Sequence, residues 1–403
     1  MDKGVRLSLE QQHAVELCCD TSLLIVGITG GAGVGKTLVL GHVYKGLKKL
    51  GKSVALCAPT GRAAKRIEEL TNIKAKTVHR LLEFPMPDDK DDPLAAPNEP
   101  RRHRRNPLDE QVVIVDEASM ISPNLYRQLI DALPKGGIIR FFGDNNQLPP
   151  VEEGKPPFIS ILKERPMVEL TYNFRSGDLI VSNALRILGG RIPLRNDRFE
   201  IIYSADPLQE LLRFVTKDFM CESHQIIMPA RKGKYGTMRI NPSIQLKFNG
   251  KGAMLRLARF DDKEAPLVVR ARDKFIWIKN DYKLNLFNGE IGDIDWIDDS
   301  DGSLGIVTDK RAVEIPPRVK TYSPYHGTVI TYDPRKQIEL GYAITTHKAQ
   351  GSEFDTIIYC IPGGMAWLLN RRNFYTAITR AKHQVIIITD RRGMGLSLRR
   401  TEY

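Results

Sequence analysis

Cysteine is scarce in this chain, five in 403 residues, and none of the five (Cys18, Cys19, Cys57, Cys221 and Cys360) belongs to a CxxC pair. That excludes a disulfide framework; several lie inside apolar runs and are expected to be reduced, buried thiols of an intracellular protein. Long apolar runs are missing too. No stretch approaches the ~18 continuous apolar residues of a membrane span, and the opening MDKGVRLSLEQQ lacks the apolar segment of a signal peptide. A soluble, unexported protein without a membrane partner is expected. No internal repeat of about 20 to 50 residues is apparent.

What is present is basic charge. Lys and Arg number 60 against 48 Asp and Glu, a formal net charge of +12. That excess points to a polyanionic partner, nucleic acid ahead of a membrane surface. The length allows two or three domains, since single cores stop growing near ~250 to 300 residues.

Short apolar runs alternate with amphipathic stretches: SVALCAPT (53 to 60) then GRAAKRIEEL, VVIVDEAS (112 to 119) then PNLYRQLIDAL, then IIRFFGD (138 to 144). This is the rhythm of parallel strands covered by helices, so an α/β fold is expected. A second series begins near Met167 and resumes at FDTIIYCI and QVIIITD. Between them, residues 270 to 338 turn to strands and turns, with Asn288-Gly289 and Asp301-Gly302 as turn dipeptides. The expected division is 1–165 for a first α/β domain, 166–270 with 339–403 for a second, and 271–338 for an all-β, small-barrel insertion in the second. Residues 83–110, rich in proline and charge, are expected to form an inserted loop or hairpin in the first.

Residues 30 to 37 read GGAGVGKT and follow the apolar run SLLIVGIT. The pattern GxxxxGK[ST] binds phosphate when a strand delivers a glycine-rich turn whose backbone N–H groups converge at the start of the next helix. LVLGHVYKGLKKL supplies that helix. Gly30, Gly31, Ala32, Gly33, Val34 and Gly35 are the expected cradle, with Lys36 on the β- and γ-phosphates and the Thr37 hydroxyl on Mg²⁺. The chain thus reads as a nucleotide phosphohydrolase or transferase. VVIVDEAS ends a strand with two acids: Asp116 can hold Mg²⁺, directly or through water, and Glu117 can position and deprotonate the attacking water. In FFGDNNQLPPV, Gln147 can reach the γ-phosphate or the lytic water, or simply be a solvated loop residue.

In chain order, LSLEQQHAV, the phosphate loop, APTGRAAKR, TVHRLL, VVIVDEAS, GDNNQLPPV, LTYNFRS, AITTHKAQGSEFD and YTAITRAK resemble the motif set of superfamily 1 helicases, and within it the RecD-like, or Dda-like, group. The resemblance spans nearly the whole chain. It implies two RecA-like parallel-sheet domains with ATP between them, Mg²⁺ as cofactor, single-stranded DNA and DNA forks as partners, and 5′ to 3′ movement. It further implies that Gln11 reads the adenine edge, that Phe174 stacks on the base, and that Gly351 and Glu353 belong to the nucleotide site, Glu353 at the ribose. Arg175 and Arg380 resemble the arginines that project onto the γ-phosphate, where a permanently charged planar fork stabilises charge developing on the transferred group. Pro59, Thr60, Gly61, His79, Thr346, His347 and Lys348 are the implied contacts to the strand. RRHRR (101 to 105) stays open between a solvated charged loop and a nucleic-acid contact.

One departure concerns residues 83–110. Relatives place there a hairpin that splits the duplex, often with an aromatic near its tip, whereas here Phe84 is the only aromatic. Either His103 and the prolines form a blunter wedge, or duplex separation is weak. The long N-terminal domain of larger RecD-type proteins is also lacking, so a minimal motor working as a monomer is expected. Three alternatives remain: a translocase that strips proteins from a strand without separating duplexes, a nucleotide-gated binding switch, and an enzyme acting on RNA. A full hydrolytic set with both arginines weighs against the switch.

Overall fold

The computed structural model describes residues 6–84, 99–150, 154–174, 179–216, 219, 223–259, 264–281, 283–308, 311–323 and 328–401. The chain divides into two compact units, 1–177 with the short stretch 323–328, and 178–322 with 329–403.

The first unit is built on six parallel strands: β1 (Ile25–Gly30), β2 (Val54–Ala58), β3 (Lys76–Thr77), β4 (Val112–Val115), β5 (Ile138–Gly143) and β6 (Met167–Leu170). Their order across the sheet is β3-β2-β4-β5-β1-β6. The helices are α1 (Leu9–Cys19), α2 (Lys36–Lys49), α3 (Gly61–Thr71), α4 (Val78–Leu81), α5 (Pro123–Asp131) and α6 (Pro157–Glu164). Both faces of the sheet are covered, which is why the strands read as unbroken apolar runs. On β4, Val112 and Ile114 pack with Val39, Leu40 and Val43 of α2, while Val113 and Val115 pack with Leu125 and Leu129 of α5. The helices begin where the chain offers caps: Thr60 accepts from the Ala63 N–H, and Ser122, followed by Pro123, accepts from the Leu125 N–H.

β6 corrects the expected boundary at residue 165. Met167–Leu170 pair in parallel with β1, Gly27 opposite Met167, so this strand completes the first sheet. The run MVEL carries no local sign of which sheet it joins; that is decided by a partner about 140 residues earlier. Arg140 is a second unforeseen feature. It is fully buried, and its guanidinium donates to the carbonyls of Cys18 (2.7 Å), Asp20 (2.8 Å) and Leu23 (2.9 Å), tying the end of α1 to β5.

Half of the expected insertion at 83–110, residues 85–98, falls outside the described residues, and its base is seen. Arg102 pairs with Glu83 at 2.9 Å and Asp109 at 3.0 Å, and a bridge joins His103 to Asn106. Within RRHRR, Arg102 is therefore a clasp, while Arg104 and Arg105 are exposed.

The second unit holds five parallel strands in the order β18-β8-β19-β20-β7: β7 (Phe199–Tyr203), β8 (His224–Met228), β18 (Ala343–Thr345), β19 (Phe354–Ile361) and β20 (Ala381–Thr389). On one face lie α7 (Leu179–Leu188), α11 (Arg371–Ile378) and α12 (Arg391–Arg399), sharing a core with Val385 and Ile387 of β20. Ile386 and Ile388 point the other way, into a core shared with α8 (Pro207–Phe214), α9 (Thr237–Asn249) and the β-rich insertion. The short α10 (Thr346–Ala349) follows β18.

The insertion is an antiparallel sheet of order β14-β13-β12-β11-β17, from β11 (Lys274–Trp277), β12 (Ile291–Ile297), β13 (Leu304–Thr308), β14 (Arg311–Ile315) and β17 (Ile338–Leu340). Gly289 and Gly302 take the left-handed conformation (φ 87° and 77°) that the two turn dipeptides foretell. A ladder of β9 (Met254–Leu257) with β10 (Leu267–Arg270) packs Leu257 and Val269 into the same core, so the β-rich region starts before residue 271. β15 (Val319–Ser323) and β16 (Thr328–Tyr332) pair as a separate two-stranded sheet. Among the described residues, no helix is long and apolar enough to cross a membrane.

Candidate functional site

In the first unit, β4, β5 and β1 are neighbours and all parallel, so their C-terminal ends open on one edge of the sheet. Three loops meet there: the glycine-rich loop after β1, the acidic pair after β4, and the polar loop after β5. The glycine-rich loop needs its glycines. Gly33 and Gly35 sit at φ 82° and 81°, which only glycine adopts readily, and a Cβ on Gly35 would come within 2.6 Å of Gln11 Nε2. A Cβ on Gly30 would meet the Leu170 carbonyl and Val34, whose side chain is buried.

Gly35 is the N-cap of α2 and brings no side chain, so the first N–H groups of a 14-residue helix keep their donor capacity for an anion. Lys36 and Thr37 occupy the first turn. The Lys36 ammonium lies across the loop, donating to the carbonyls of Gly30 and Gly31 at 2.8 Å each. These are weak partners for a full charge, and a phosphate is a stronger one.

Asp116 is 8% exposed and its carboxylate accepts from the Glu117 N–H at 2.9 Å. Burial, and then the neighbouring Glu117, push its carboxyl up to about 6 against the opposing pull of Lys36 and Arg66. Glu117 takes a left-handed backbone (φ 50°), a strained state for a side chain of this size and one that clusters at functional sites. Its Oε2 is buried without a hydrogen-bond partner, and so are Ser119 Oγ and Gln147 Oε1. Gln147 is held by its own loop, Nε2 donating to Asp144 Oδ2 at 3.4 Å, while Thr29 and Asn145 tie that loop to β1.

Unsatisfied buried oxygens and a carboxylate whose charge burial makes costly form a hard, oxygen-rich donor set, which suits a divalent cation with nucleotide phosphate. Among the described residues no cluster of three or more His, Cys, Asp or Glu could hold a metal alone.

Gln11 and Phe174 both reach the glycine-rich loop. Gln11 is 1% exposed and makes a capping box with Ser8, and its Nε2 donates to the Val34 carbonyl at 3.0 Å. One amide donor and one acceptor remain, the pair an adenine edge needs. The Phe174 N–H donates to the Gly33 carbonyl (3.2 Å), and Asn173 Nδ2 to that of Ala32 (2.8 Å). Glu10 holds the same segment, accepting from the Thr171 and Tyr172 N–H groups at 2.7 and 3.1 Å. Residues 171–174 are thus a strap between α1 and the phosphate loop. Glu10 and Asn173 were not among the expected site residues; their contacts span about 140 to 160 residues and leave no local trace. Arg175, next along, lies outside the described residues.

The strand-contact candidates of this unit cap helices. Thr60 closes the start of α3 beside Pro59, with Gly61 buried at its first position, and the half-buried His79 ring in α4 packs at 4.9 Å on Phe84.

In the second unit several expected residues are already engaged. The fully buried Thr346 hydroxyl bonds Asn373 Oδ1 at 2.7 Å, so it fastens α10 to α11 and faces no phosphate. Burial lowers the affinity of His347 for a proton. The Lys348 ammonium is in an ion pair with Glu339 Oε2 at 2.6 Å instead of being displayed to a strand. Gly351, at φ 73°, turns the chain into β19, with a half-buried Glu353 just ahead of it. Arg380 is 5% exposed; its Nε donates to the Thr376 carbonyl (3.1 Å) and Nη2 to Thr379 Oγ1 (3.3 Å). Among the described residues no carboxylate pairs with it, so its full charge is uncompensated.

Comparison with known proteins agrees with this chemistry. Residues 11–153 match the family model of an AAA domain, and residues 340–388 that of the UvrD-like helicase C-terminal domain. The ATP-dependent RecD2 DNA helicase of Deinococcus radiodurans is 30% identical over 385 residues, covering 94% of this chain and 49% of the relative. The RecBCD enzyme subunit RecD of Mycolicibacterium smegmatis is 28% identical, covering 94% of this chain and 70% of the relative. The chain therefore spans about half of the one relative and about two thirds of the other. Among solved structures, Pif1 helicase from Candida albicans superimposes with a TM-score of 0.60 at 20% identity, covering 97% of each chain. Pif1 from Bacteroides in complex with ADP-AlF3 and ssDNA gives 0.60 at 21% identity, covering 95% of this chain and 92% of that one. Those two likenesses speak to the fold. With the phosphate loop, the acidic pair and the two family matches in chain order, the chain is similar to RecD-type helicases in sequence and to the Pif1 helicase structures in fold.

Proposed function

We propose that this protein is an ATP-driven motor that moves 5′ to 3′ on single-stranded DNA and acts at DNA forks, one chain carrying the whole hydrolytic set. The observation that carries the reading is the meeting of Lys36, Asp116, Glu117 and Gln147 at one edge of the first sheet, with buried oxygens on Glu117 and Gln147 lacking partners. The α2 N-terminus and Lys36 bind the nucleotide phosphates, Lys36 leaving the Gly30 and Gly31 carbonyls to do so. Thr37 and Asp116 would hold Mg²⁺, which when bound neutralises phosphate charge. Gln147 orients the lytic water, and Glu117 accepts its proton as the bond to the leaving oxygen breaks. Gln11 and Phe174 recognise the base, and Gly351 and Glu353 serve the nucleotide, in keeping with the resemblance. Arg175 and Arg380 stabilise the developing charge.

DNA as the track is supported by kinship with a RecD2 DNA helicase and by likeness to a Pif1 structure that contains ssDNA. The 5′ to 3′ direction rests on the resemblance to the RecD-like group. Pro59, Thr60, Gly61, His79 and His347 remain the proposed strand contacts, and Lys348 joins them only if it leaves Glu339. The test is ATP hydrolysis with and without single-stranded DNA, with matched RNA as competitor. Equal rates with and without DNA sink the motor reading; stronger stimulation by RNA moves the substrate to RNA.

A further inference from the structure

The segment after β8 reads Arg231-Lys232-Gly233-Lys234-Tyr235-Gly236 and leads into α9. Lys232, Lys234, Met238, Arg239, Pro242 and Glu264 line an open groove of about 530 Å³ there. Arg231, beneath it, is divided between two carboxylates: Nη1 and Nη2 donate to Glu264 Oε1 and Oε2 at 2.8 Å each, and Nε donates to Glu339 Oε1 at 2.9 Å. Lys232 Nζ adds a 2.9 Å contact to Glu264. Lys234 rests over the Tyr235 ring at 5.2 Å. Lys234 and Arg239 are both exposed, and among the described residues neither is paired with a carboxylate.

We propose that this groove binds the phosphodiester backbone of single-stranded DNA, and that Glu264 stands in it as a built-in phosphate mimic which the strand displaces. The inference rests on the single-strand motor reading and extends it to residues with no role so far. Three features carry it. A bidentate carboxylate on an arginine fork has the geometry a phosphate takes on the same fork. Lys234 and Arg239 flank that fork and add positive charge, unpaired among the described residues, along a concave surface, the footprint of a polyanion. Finally, Glu339 joins Arg231 (2.7 Å) to Lys348 (2.6 Å) of α10, so a chain of ion pairs links the fork that holds Glu264 to the His347-Lys348 segment. Arg231 and then Lys232 hold the Glu264 carboxyl down to about 2 by hydrogen bonding, so it competes with phosphate as a full charge at any working pH.

The experiment is a salt series of oligo(dT) binding by fluorescence anisotropy on the full chain, without nucleotide. The double variant Lys234→Ala, Arg239→Ala should bind about 25-fold more weakly at about 0.1 M salt, and its log K against log salt should flatten by about 1.4, from ~0.7 per phosphate contact on a single strand. Glu264→Gln should bind more tightly, about 5-fold, with a steeper slope. Thermal unfolding checks that each variant folds. A double variant that binds like the parent overturns the proposal, as does a Glu264→Gln variant that binds no tighter. Displacement of the strand by oligo-glutamate as readily as by unlabelled oligo(dT) overturns it too. Failure of the parent to bind oligo(dT) takes down the motor reading itself, whereas binding that ignores the groove variants takes down the groove alone.

Discussion

Replacing Asp116 with Asn should make the first unit more stable while it disables the enzyme. The Asp116 carboxyl is raised from 3.8 to about 6 by burial and by Glu117. That is a shift of about 2 pH units, and at 1.36 kcal/mol per unit the ionised side chain weakens the nucleotide-free fold by up to about 3 kcal/mol near pH 7. Asn keeps the shape and still accepts from the Glu117 N–H, so the substitution removes the charge and little else.

The pH dependence follows from the direction of the shift. Below about pH 3.8 Asp116 is neutral in folded and unfolded chains alike, and its favourable contribution is fully present. It is lost as pH rises through about 6. The gain from Asp116→Asn should therefore be largest at pH 7 and fade towards pH 4. Trp277, Trp296 and Trp367 all lie in the second unit, so tryptophan fluorescence under urea reports that unit and should not move. Hydrogen-exchange protection of β4 and β5 amides reads the first unit and should rise, while ATP turnover collapses. Protection that falls at pH 7, or a gain independent of pH, would refute the reasoning. Stability exchanged for a charged site is the usual mark of function.

Two further substitutions separate structural from chemical roles. Arg140→Ala leaves the buried carbonyl of Cys18 and the partly buried carbonyls of Asp20 and Leu23 without their donor; at ~1 to 3 kcal/mol for the buried one and less for the two that water can reach, urea unfolding should show a loss of about 2 to 4 kcal/mol. A loss below about 1 kcal/mol would mean the tie is unimportant. Arg380→Ala should slow single-turnover hydrolysis by about 10³-fold or more while changing ATP affinity by less than about tenfold. Comparable losses in both would contradict the finger role.

What could be read from the sequence was what local pattern encodes. GGAGVGKT after SLLIVGIT fixes a strand, a turn and a helix start within a few residues, and the structure puts Gly33 and Gly35 in the left-handed turn that motif requires. Asn288-Gly289 and Asp301-Gly302 likewise mark turns by their own backbone preferences. What pattern could not show was long-range pairing. MVEL has the same apolar look whichever sheet it joins, and only its partnership with β1 assigns it. A lysine in AITTHKAQG looks free until Glu339, a residue of the insertion, is seen to hold it. Thr346, too, reads as a phosphate-facing hydroxyl until Asn373 is brought to it from α11.

The central claim is movement, and the most direct measurement is stopped-flow arrival at the end of a labelled single strand. With the fluorophore on the 3′ end, the lag before the signal should grow in proportion to strand length and require ATP, and Lys36→Ala should give none. With the label on the 5′ end the length-dependent lag should vanish. A lag that ignores strand length would contradict the motor; one that appears only at the 5′ end would reverse its direction.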